Sequence, residues 1–374
     1  MQRHLTSAIV ALLTLATGAS LAADWPMFRG TPDLKGISQD TLPAAPALLW
    51  TFDAGDAILS SVAVVGNTLV VAAESGNVYA LDAKKGSKRW HFKTEGTIES
   101  SPLILDSHVY VGDSEGTLYK HKLADGSNVW TYAAGDQILG AINWNKPDAS
   151  NSTHILFGSY DYSLHCVDSM TGSNVWRYAT DNFINGAPAI SEGVAVVGGC
   201  DGMLHVVDMN TGTARHSVVI GNYIAGSPVI SDGQAYVGHY DNGVVCADIV
   251  AGKQLWSYNK SDQPFFATPV LTPTLAIVGG RDKSVIALDR KSGELRWTFR
   301  TNGRVDSSPI LIGKHVLLGS EDGFLYLLNV ADGKKAWSYE VGEGITASPA
   351  FANSVIYVGN HQGTLFAFGE KSTP

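Results

Sequence analysis

Short apolar stretches alternate with glycine-rich turns along nearly the whole chain, and the same pattern returns about every 40 residues. Each repeat has a short stretch after a small-small-Pro start, an apolar stretch that ends in glycine, and an alternating stretch such as residues 78–82. A fourth stretch carries a tryptophan. β-rich runs between Gly, Asn and Asp turns are typical of antiparallel strands joined in a meander. The pattern therefore predicts an all-β chain built from four-stranded antiparallel repeats.

The tryptophans give the period of the repeat. They are Trp50, Trp90, Trp130, Trp176, Trp256, Trp297 and Trp337, and His216 stands at the one position of the series without a tryptophan. Successive members of the series lie 40, 40, 46, 40, 40, 41 and 40 residues apart. Periods of this length are typical of propellers and solenoids. We interpret the tryptophans as packing residues between repeats and the long interval as a solvated turn at residues 145–152.

The two ends of the repeat pattern predict how the ring closes. Eight first strands are predicted to begin near Ser60, Ser100, Gly140, Gly186, Gly226, Ala267, Ser307 and Ala347. The last repeat has no tryptophan strand, whereas residues 48–52 form such a strand ahead of the first repeat. An N-terminal strand that completes the last repeat removes the exposed edges of an open array. We therefore predict an eight-bladed β-propeller over residues 47–374, preceded by an extension at residues 23–46.

Composition and the first residues indicate where the protein works. The formal net charge of −9 argues against nucleic acid as a partner, because phosphate binding needs a concentrated basic surface. Residues 1–22 have the basic start, apolar middle and small-residue end of a cleaved signal peptide. No cysteine stands at the expected cleavage site, so we expect no lipid anchor and no other membrane anchor. The predicted protein is exported and soluble, either in the periplasm or secreted.

The repeated Ser-Ser-Pro, Tyr-Val-Gly, Leu-Tyr-Ala-Leu-Asp, Thr-Gly and Trp elements resemble the pyrroloquinoline-quinone-type propeller repeat of the quinoprotein alcohol dehydrogenase-like superfamily. The resemblance covers residues from about 47 to 368, and residues 24–30 are similar to an opening segment of exported members. It implies one of two functions. Enzymes of this type hold pyrroloquinoline quinone and Ca²⁺ above the central channel, whereas other members are non-catalytic scaffolds, including a periplasmic factor that assembles outer-membrane barrels.

The irregular residues of one predicted face form the candidate site. Strands alternate in direction, so the starts of the first strands and the turns between second and third strands share a face. These positions depart most from the repeat in the middle blades, where aromatic and charged residues replace Asp-Gly. We predict that a protein or small-molecule ligand binds at this channel mouth. The candidate residues are Glu99, Asn185, Tyr223, Phe266, Arg281, Arg304, Asp306, Tyr160 and Tyr240.

Two other chemistries use residues of the same face. Glu99, Asn185 and Asp306 offer oxygen ligands for Ca²⁺, and Arg281 or Arg304 offers a cation near a quinone. Against a quinone-dependent dehydrogenase, the chain lacks the adjacent cysteine pair, the long roofing loops and the haem motif that the resemblance implies for such enzymes. Cys200 and His239 are weak candidates for a soft-metal site, whereas Cys166 and Cys246 are predicted to be buried thiols. The favoured interpretation is a non-catalytic binding or scaffold protein; the alternative is a quinone- and calcium-dependent dehydrogenase of alcohols or sugars.

Overall fold

The computed structural model describes residues 24–43, 45–147 and 152–371, and within these it forms 33 strands and no helix. The predicted signal peptide lies outside the described residues. Thirty-two strands form eight four-stranded antiparallel blades arranged in a ring, so the predicted fold class and blade number are confirmed. One further short strand, Ile37–Ser38, pairs in parallel with the first strand of the seventh blade.

The strands of each blade run outward from the central channel, from the first strand to the fourth. Blade 1 comprises Ala63–Val65, Thr68–Ala72, Asn77–Asp82 and Lys88–Lys93, and blade 2 comprises Leu103–Leu105, His108–Gly112, Thr117–Lys122 and Asn128–Ala133. Blade 3 comprises Asn143–Asn145, His154–Ser159, Ser163–Asp168 and Asn174–Ala179, and blade 4 comprises Ala189–Ser191, Val194–Gly198, Met203–Asp208 and Ala214–Val219. Blade 5 comprises Val229–Ser231, Gln234–His239, Gly243–Asp248 and Lys253–Tyr258, and blade 6 comprises Val270–Leu271, Leu275–Gly280, Ser284–Asp289 and Leu295–Arg300. Blade 7 comprises Ile310–Ile312, His315–Gly319, Phe324–Asn329 and Lys335–Glu340, and blade 8 comprises Ala350–Ala352, Val355–Gly359, Thr364–Gly369 and Ala47–Asp53.

The N-terminal strand closes the ring as the sequence predicts. Ala47–Asp53 pairs antiparallel with Thr364–Gly369 and supplies the fourth strand of blade 8. The two ends of the chain are thus held in one sheet. Without this strand, the edge of Thr364–Gly369 would be uncovered and could pair with another molecule.

The first strands are shorter than predicted and begin about three residues later. In blade 1 the strand begins at Ala63 rather than Ser60, and the two serines before it make other bonds. The Ser60 hydroxyl donates to Ala72 O of the same blade at 3.1 Å. The Ser61 N–H donates to Ser101 Oγ of blade 2 at 3.0 Å. The same blade-to-blade bond joins Thr268 to Ser308 and Ser308 to Ser348. The small-residue column therefore links neighbouring blades around the channel.

Side chains of one blade pack against glycines of the next. A Cβ on Gly112 would lie 2.3 Å from Ile138, so the glycine that ends this second strand is needed for the blades to approach. On the outer side of the blades, a Cβ on Gly86 would lie 2.6 Å from the Trp50 ring. Bulky residues packed on glycines thus give each blade a cover for its apolar flank, as predicted for the tryptophans.

The extension before the propeller crosses the face formed by the turns between first and second strands. Trp25 bridges Val64 of blade 1 in both directions, at 2.8 and 2.7 Å. Further along, the extension carbonyls accept N–H bonds from first strands of other blades. The donor and acceptor pairs are Ile104 to Pro26, Ile190 to Pro32, Ile230 to Asp33 and Leu311 to Gly36. These bonds satisfy polar groups on the channel edges of the first strands, which have no neighbouring strand there.

Arg29 anchors the extension inside the ring. Its side chain is only 1% exposed, and its guanidinium donates to Leu34 O and Lys35 O of the extension itself. It also donates to Pro309 O at 2.7 Å and Pro269 O at 2.8 Å, which belong to two different blades. One buried cation therefore joins the extension to the start of blades 6 and 7.

We predict that Arg29→Ala lowers the free energy of unfolding by about 3 kcal/mol or more, because several buried carbonyls lose a charged donor. Urea denaturation followed by tryptophan fluorescence measures the change. The matched control is Arg296→Ala, which removes a half-exposed surface cation paired with Asp289 and should cost about 1 kcal/mol or less. Equal losses for the two variants would contradict the anchoring role.

Candidate functional site

The candidate positions share one face of the propeller in all eight blades. The first residue of each turn between second and third strands donates its N–H to the carbonyl of a residue just before the first strand. In blade 3, for example, Tyr160 donates to Gln137 at 2.9 Å. The same bond is found at Glu74–Ala57, Ser114–Thr97, Cys200–Phe183, Tyr240–Tyr223, Arg281–Pro264, Glu321–Arg304 and His361–Gly344. The predicted arrangement of these two loop types on a single face is therefore correct.

The channel forms a cup that opens on this face. Its cavity has a volume of about 170 Å³ and is lined by one residue from each blade just before the small pair. These residues are Leu59, Glu99, Leu139, Asn185, Ala225, Phe266, Asp306 and Thr346. A second ring of small residues lies below them. Phe28 of the extension also lines the cavity, so the extension forms the floor of the cup. A ligand of the cup must therefore approach from the candidate face.

One side of the cup mouth is organised by a charged pair. Arg281 Nε lies 3.0 Å from both carboxylate oxygens of Asp306, and Arg281 Nη2 lies 2.6 Å from Oδ2. The same guanidinium lies 3.9 Å above the centre of the Phe266 ring. A fork-shaped pair of this kind fixes both side chains more firmly than a single ion contact. Asp306 is therefore already neutralised, and Arg281 is held against an aromatic ring.

Two aromatic groups flank the mouth. In one, Tyr240 lies between Tyr223 and Phe266, with ring centres 6.3 and 5.4 Å apart. In the other, Tyr160 stacks on Phe183 at 4.5 Å. The two groups differ in exposure. Tyr223 and Tyr240 are 54% and 52% exposed, so more than half of each side chain is open to solvent although the two rings contact each other. They are therefore available to a partner.

The other predicted residues take three different positions. Asn185 is held in place, because its amide accepts from Tyr160 and donates to Ala225 O at 3.2 Å. Glu99 stands free at the mouth, and partial burial together with the Glu74 carboxylate raises the pKa of its side chain above the usual range. Arg304 is exposed, and its guanidinium has no hydrogen bond or ion pair with the described residues. Glu99 and Arg304 are the mouth charges that a ligand can engage without breaking an internal bond.

Cysteine and histidine side chains are dispersed rather than gathered. Over the described ranges, no group of three or more His, Cys, Asp or Glu side chains is placed to hold a metal ion. His239 is buried, and burial lowers the pKa of its imidazole. His165 and His205 each contact an aspartate four residues earlier and a tyrosine of the preceding blade. These histidines thus link blades, which accounts for their place on the third strands.

The three cysteines are free thiols with different surroundings. Cys166 and Cys246 are buried, as predicted, and burial raises the pKa of their thiols to about 12 and about 11. Cys200 is half-buried on the candidate face. Burial and the neighbouring Asp201 raise the pKa of the Cys200 thiol, and burial raises that of Tyr160 close to it. At neutral pH Cys200 is therefore a thiol rather than a thiolate.

The donor set of the cup does not fit a calcium–quinone centre. Ca²⁺ in proteins takes six to eight oxygen ligands, several of them free carboxylates. Here the Asp306 carboxylate is bound by Arg281, and the Asn185 amide is engaged on both sides. Glu99 alone is left as a free oxygen donor among the three predicted ligands. We derive no quinone chemistry from this arrangement.

Two features of the site are not predictable from the repeat pattern: the floor of the cup and one polar pair of the mouth. The sequence indicates only that Phe28 and Arg29 belong to the extension before the propeller, in a segment similar to the opening of other exported chains. It does not indicate that this segment crosses the channel. Thr346 Oγ1 and His361 Nε2, which both belong to blade 8, lie 2.9 Å apart at the edge of the mouth. Both lie on the predicted face, but neither residue was among the predicted site residues.

Comparison with known proteins places the chain among propellers of one kind. The family model described as outer membrane protein assembly factor BamB matches residues 42–146, 140–222 and 222–373. The BamB of Moranella endobia (strain PCIT) is 33% identical over 95 residues, which cover 25% of this chain and 24% of that protein. This chain is therefore matched to about a quarter of that relative's length.

Two solved structures show the same fold at low identity. The crystal structure of BamB from Moraxella catarrhalis has a TM-score of 0.73 and 21% identity, covering 88% of this chain and 99% of that chain. The quinohemoprotein alcohol dehydrogenase of Comamonas testosteroni has a TM-score of 0.79 and 14% identity, covering 94% and 82%. The fold is thus common to both of the branches that the sequence suggested. Among the described residues, no helix is long and apolar enough to cross a membrane.

We predict that Cys200 is the only cysteine labelled by iodoacetamide in the folded protein. Its raised pKa should make labelling at pH 7 slower than that of an unstructured cysteine peptide. Because deprotonation creates the nucleophile, the rate should climb further at alkaline pH than that of the peptide. Mass spectrometry after timed labelling measures it, with Cys200→Ser and urea-unfolded protein as controls. Labelling of folded Cys166 at a similar rate would contradict the structure.

Proposed function

The chain belongs to the family described as outer membrane protein assembly factor BamB, and we propose that it is an exported, non-catalytic scaffold that binds a partner protein. The partner contacts the cup mouth and the surface beside it. We call this surface the mouth patch and define it by Tyr223, Tyr240, Phe266, Arg281 and Arg304. The family name suggests a partner that takes part in outer-membrane protein assembly.

The observation that carries the proposal is the exposed set of aromatic and arginine side chains beside a cup with a closed floor. Aromatic residues and arginine are the types most enriched at the energetic centres of protein interfaces. The rings of Tyr223 and Tyr240 are each more than half exposed, and Arg281 is held rigidly on Phe266. Rigid side chains lose little conformational entropy on binding. The patch is therefore suited to contact another protein.

The size of the cup favours a surface partner over an engulfed ligand. Pockets for drug-sized ligands usually measure about 300–1,000 Å³, whereas this cavity measures about 170 Å³. A partner side chain can enter a cup of this size while the rest of the partner lies on the mouth patch. Arg304 of the mouth patch is exposed, and so is Lys283, two residues after Arg281 of the patch. The partner is therefore expected to carry acidic groups there.

Export remains part of the proposal. It rests on the leader-like residues 1–22, which lie outside the described part of the chain, and on the family description. The extension already contacts blade 1 at Trp25, shortly after the predicted leader ends at residue 22. Removal of the leader would therefore leave the floor of the cup intact.

We predict that a photo-crosslinking residue placed at Tyr240 or Arg304 traps one and the same partner in the cells that make this protein. Phe266→Ala combined with Arg304→Ala should lower the crosslink yield from Tyr240 by about tenfold, since two of the patch anchors are lost. Leu255→Ala with Arg296→Ala is the matched control on the outer strands, where both residues are partly exposed. Unchanged yield in the patch variant would move the interface elsewhere, and recovery of the adduct from the cytoplasm would contradict export.

We predict that pyrroloquinoline quinone and Ca²⁺ do not convert the purified protein into a dehydrogenase. The free oxygen donors at the mouth are too few to hold the ion, so alcohols and sugars should not reduce an artificial electron acceptor. Calorimetry and absorbance titration with the quinone measure binding directly. Dye reduction that needs both additives and disappears in Glu99→Gln would reverse the choice between the two functions.

A further inference from the structure

Six tryptophans of the series make the same contact with the following blade. Each indole covers the glycine of the turn between the third and fourth strands, and its Nε1–H donates to the carbonyl of the residue that follows the third strand. Trp176, for example, donates to Met209 O at 3.0 Å and lies over Gly212. The other pairs are Trp50 with Ala83, Trp90 with Leu123, Trp130 with Ser169, Trp256 with Arg290 and Trp297 with Val330. We call this site between two blades the indole position.

Between blades 4 and 5 the indole position holds His216 instead. The imidazole still lies over the glycine of the turn, since a Cβ on Gly252 would be 3.0 Å from its Cγ. It does not replace the indole in burial or in hydrogen bonding. His216 is exposed, whereas Trp176 and Trp256 are 8% and 9% exposed. Its ring makes no hydrogen bond with any described residue, so the carbonyl of Ile249, in the acceptor column, receives none from it.

The missing ring volume coincides with a recess. A cavity of about 170 Å³ lies beside His216, with a largely apolar wall that includes Val194, Ile230 and Ile249. An apolar cavity of about 150 Å³ in another protein is enough to bind benzene. Arg215 stands at the rim, where its guanidinium is paired with Asp208 at 2.6 Å. The recess thus has the size and the largely apolar wall that a flat ring requires, and Ile249, whose carbonyl receives no bond from His216, is one of its lining residues.

The rest of the ring shows what the intact position looks like. Beside Trp297 a wider surface groove is present, but there the indole itself forms part of the wall, and the remainder mixes apolar residues such as Leu275 with charged ones such as Arg296. Its acceptor carbonyl, Val330 O, is bonded by the indole at 2.9 Å. The groove at Trp297 is therefore flanked by a filled indole position, whereas the recess at His216 adjoins a position that lacks its indole.

We propose that the space beside His216 is a binding site for an indole-type ligand, a flat heteroaromatic ring that carries an N–H donor. The ligand packs on Val194, Ile230 and Ile249 and donates its N–H to the Ile249 carbonyl. It thereby supplies the contact that the protein's own indoles make at six other blade junctions. The site lies on the face opposite the mouth patch, so it is independent of the proposed partner interface.

Calorimetric titration of the purified protein with free indole tests the site. Wild-type protein should bind one indole per chain. N-methylindole should bind about five- to tenfold more weakly, because it keeps the ring but lacks the donor for one hydrogen bond. N-acetyltryptophanamide distinguishes the ligand's source: binding of indole alone assigns a free small molecule, and binding of both assigns a site that also accepts a tryptophan side chain.

Two variants make the test internal to the ring. His216→Trp fills the indole position and should reduce indole binding at least tenfold while raising Tm. Trp176→His opens the equivalent position between blades 3 and 4 and should raise the stoichiometry to two. Should Trp176→His fail to fold, His216→Trp still decides the matter. Absence of indole binding to wild-type protein, or equal binding to His216→Trp, would overturn the proposal.

Discussion

The structure depends on one packing constraint, which is that every blade must cover the apolar flank of its neighbour around a closed ring. Bulky side chains meet glycines at each junction, as Ile138 does at Gly112 and Trp50 does at Gly86. Contacts this close leave no room for a Cβ, so they keep the spacing of blades nearly constant. The constraint accounts for the period, the glycine columns and the tryptophan series together. It also requires closure, which the strand Ala47–Asp53 provides within the last blade.

Closure by itself leaves a ring of blades around an open channel, and the extension closes one end of that channel. By bonding to first strands of several blades and placing Phe28 at the base of the cavity, it turns a channel into a cup. Arg29 holds this arrangement through carbonyls of two blades. The irregular side chains of the opposite face then surround the mouth of this cup. The division between a structural face and a binding face follows from this one segment.

Departures from the repeat carry the functional information because the repeat explains everything that is shared. Tyr223 and Tyr240 stand out as aromatic rings that are each more than half exposed on this face. His216 stands out as the one member of the tryptophan series that is not a tryptophan and leaves the indole position unfilled. The two exposed tyrosines can be judged against the same positions of the other blades, and His216 can be judged against six intact indole positions. Internal repetition thus serves as a set of controls for both proposed binding sites.

The fold was predictable from the sequence because it arises from local periodicity: the 40-residue stride, the alternation within strands and the early strand at residues 48–52 require no knowledge of distant contacts. The sharing of one face by the candidate residues was predictable for the same reason. Their pairing was not. Whether Arg281 neutralises Asp306 or leaves it free to bind a ligand depends on side-chain geometry across 25 residues of sequence. The path of the extension, and hence the closed floor, depends on contacts with blades up to 280 residues away. Sequence alone therefore determined the ring, and only the tertiary structure decided which face is open and which charges at its mouth remain free.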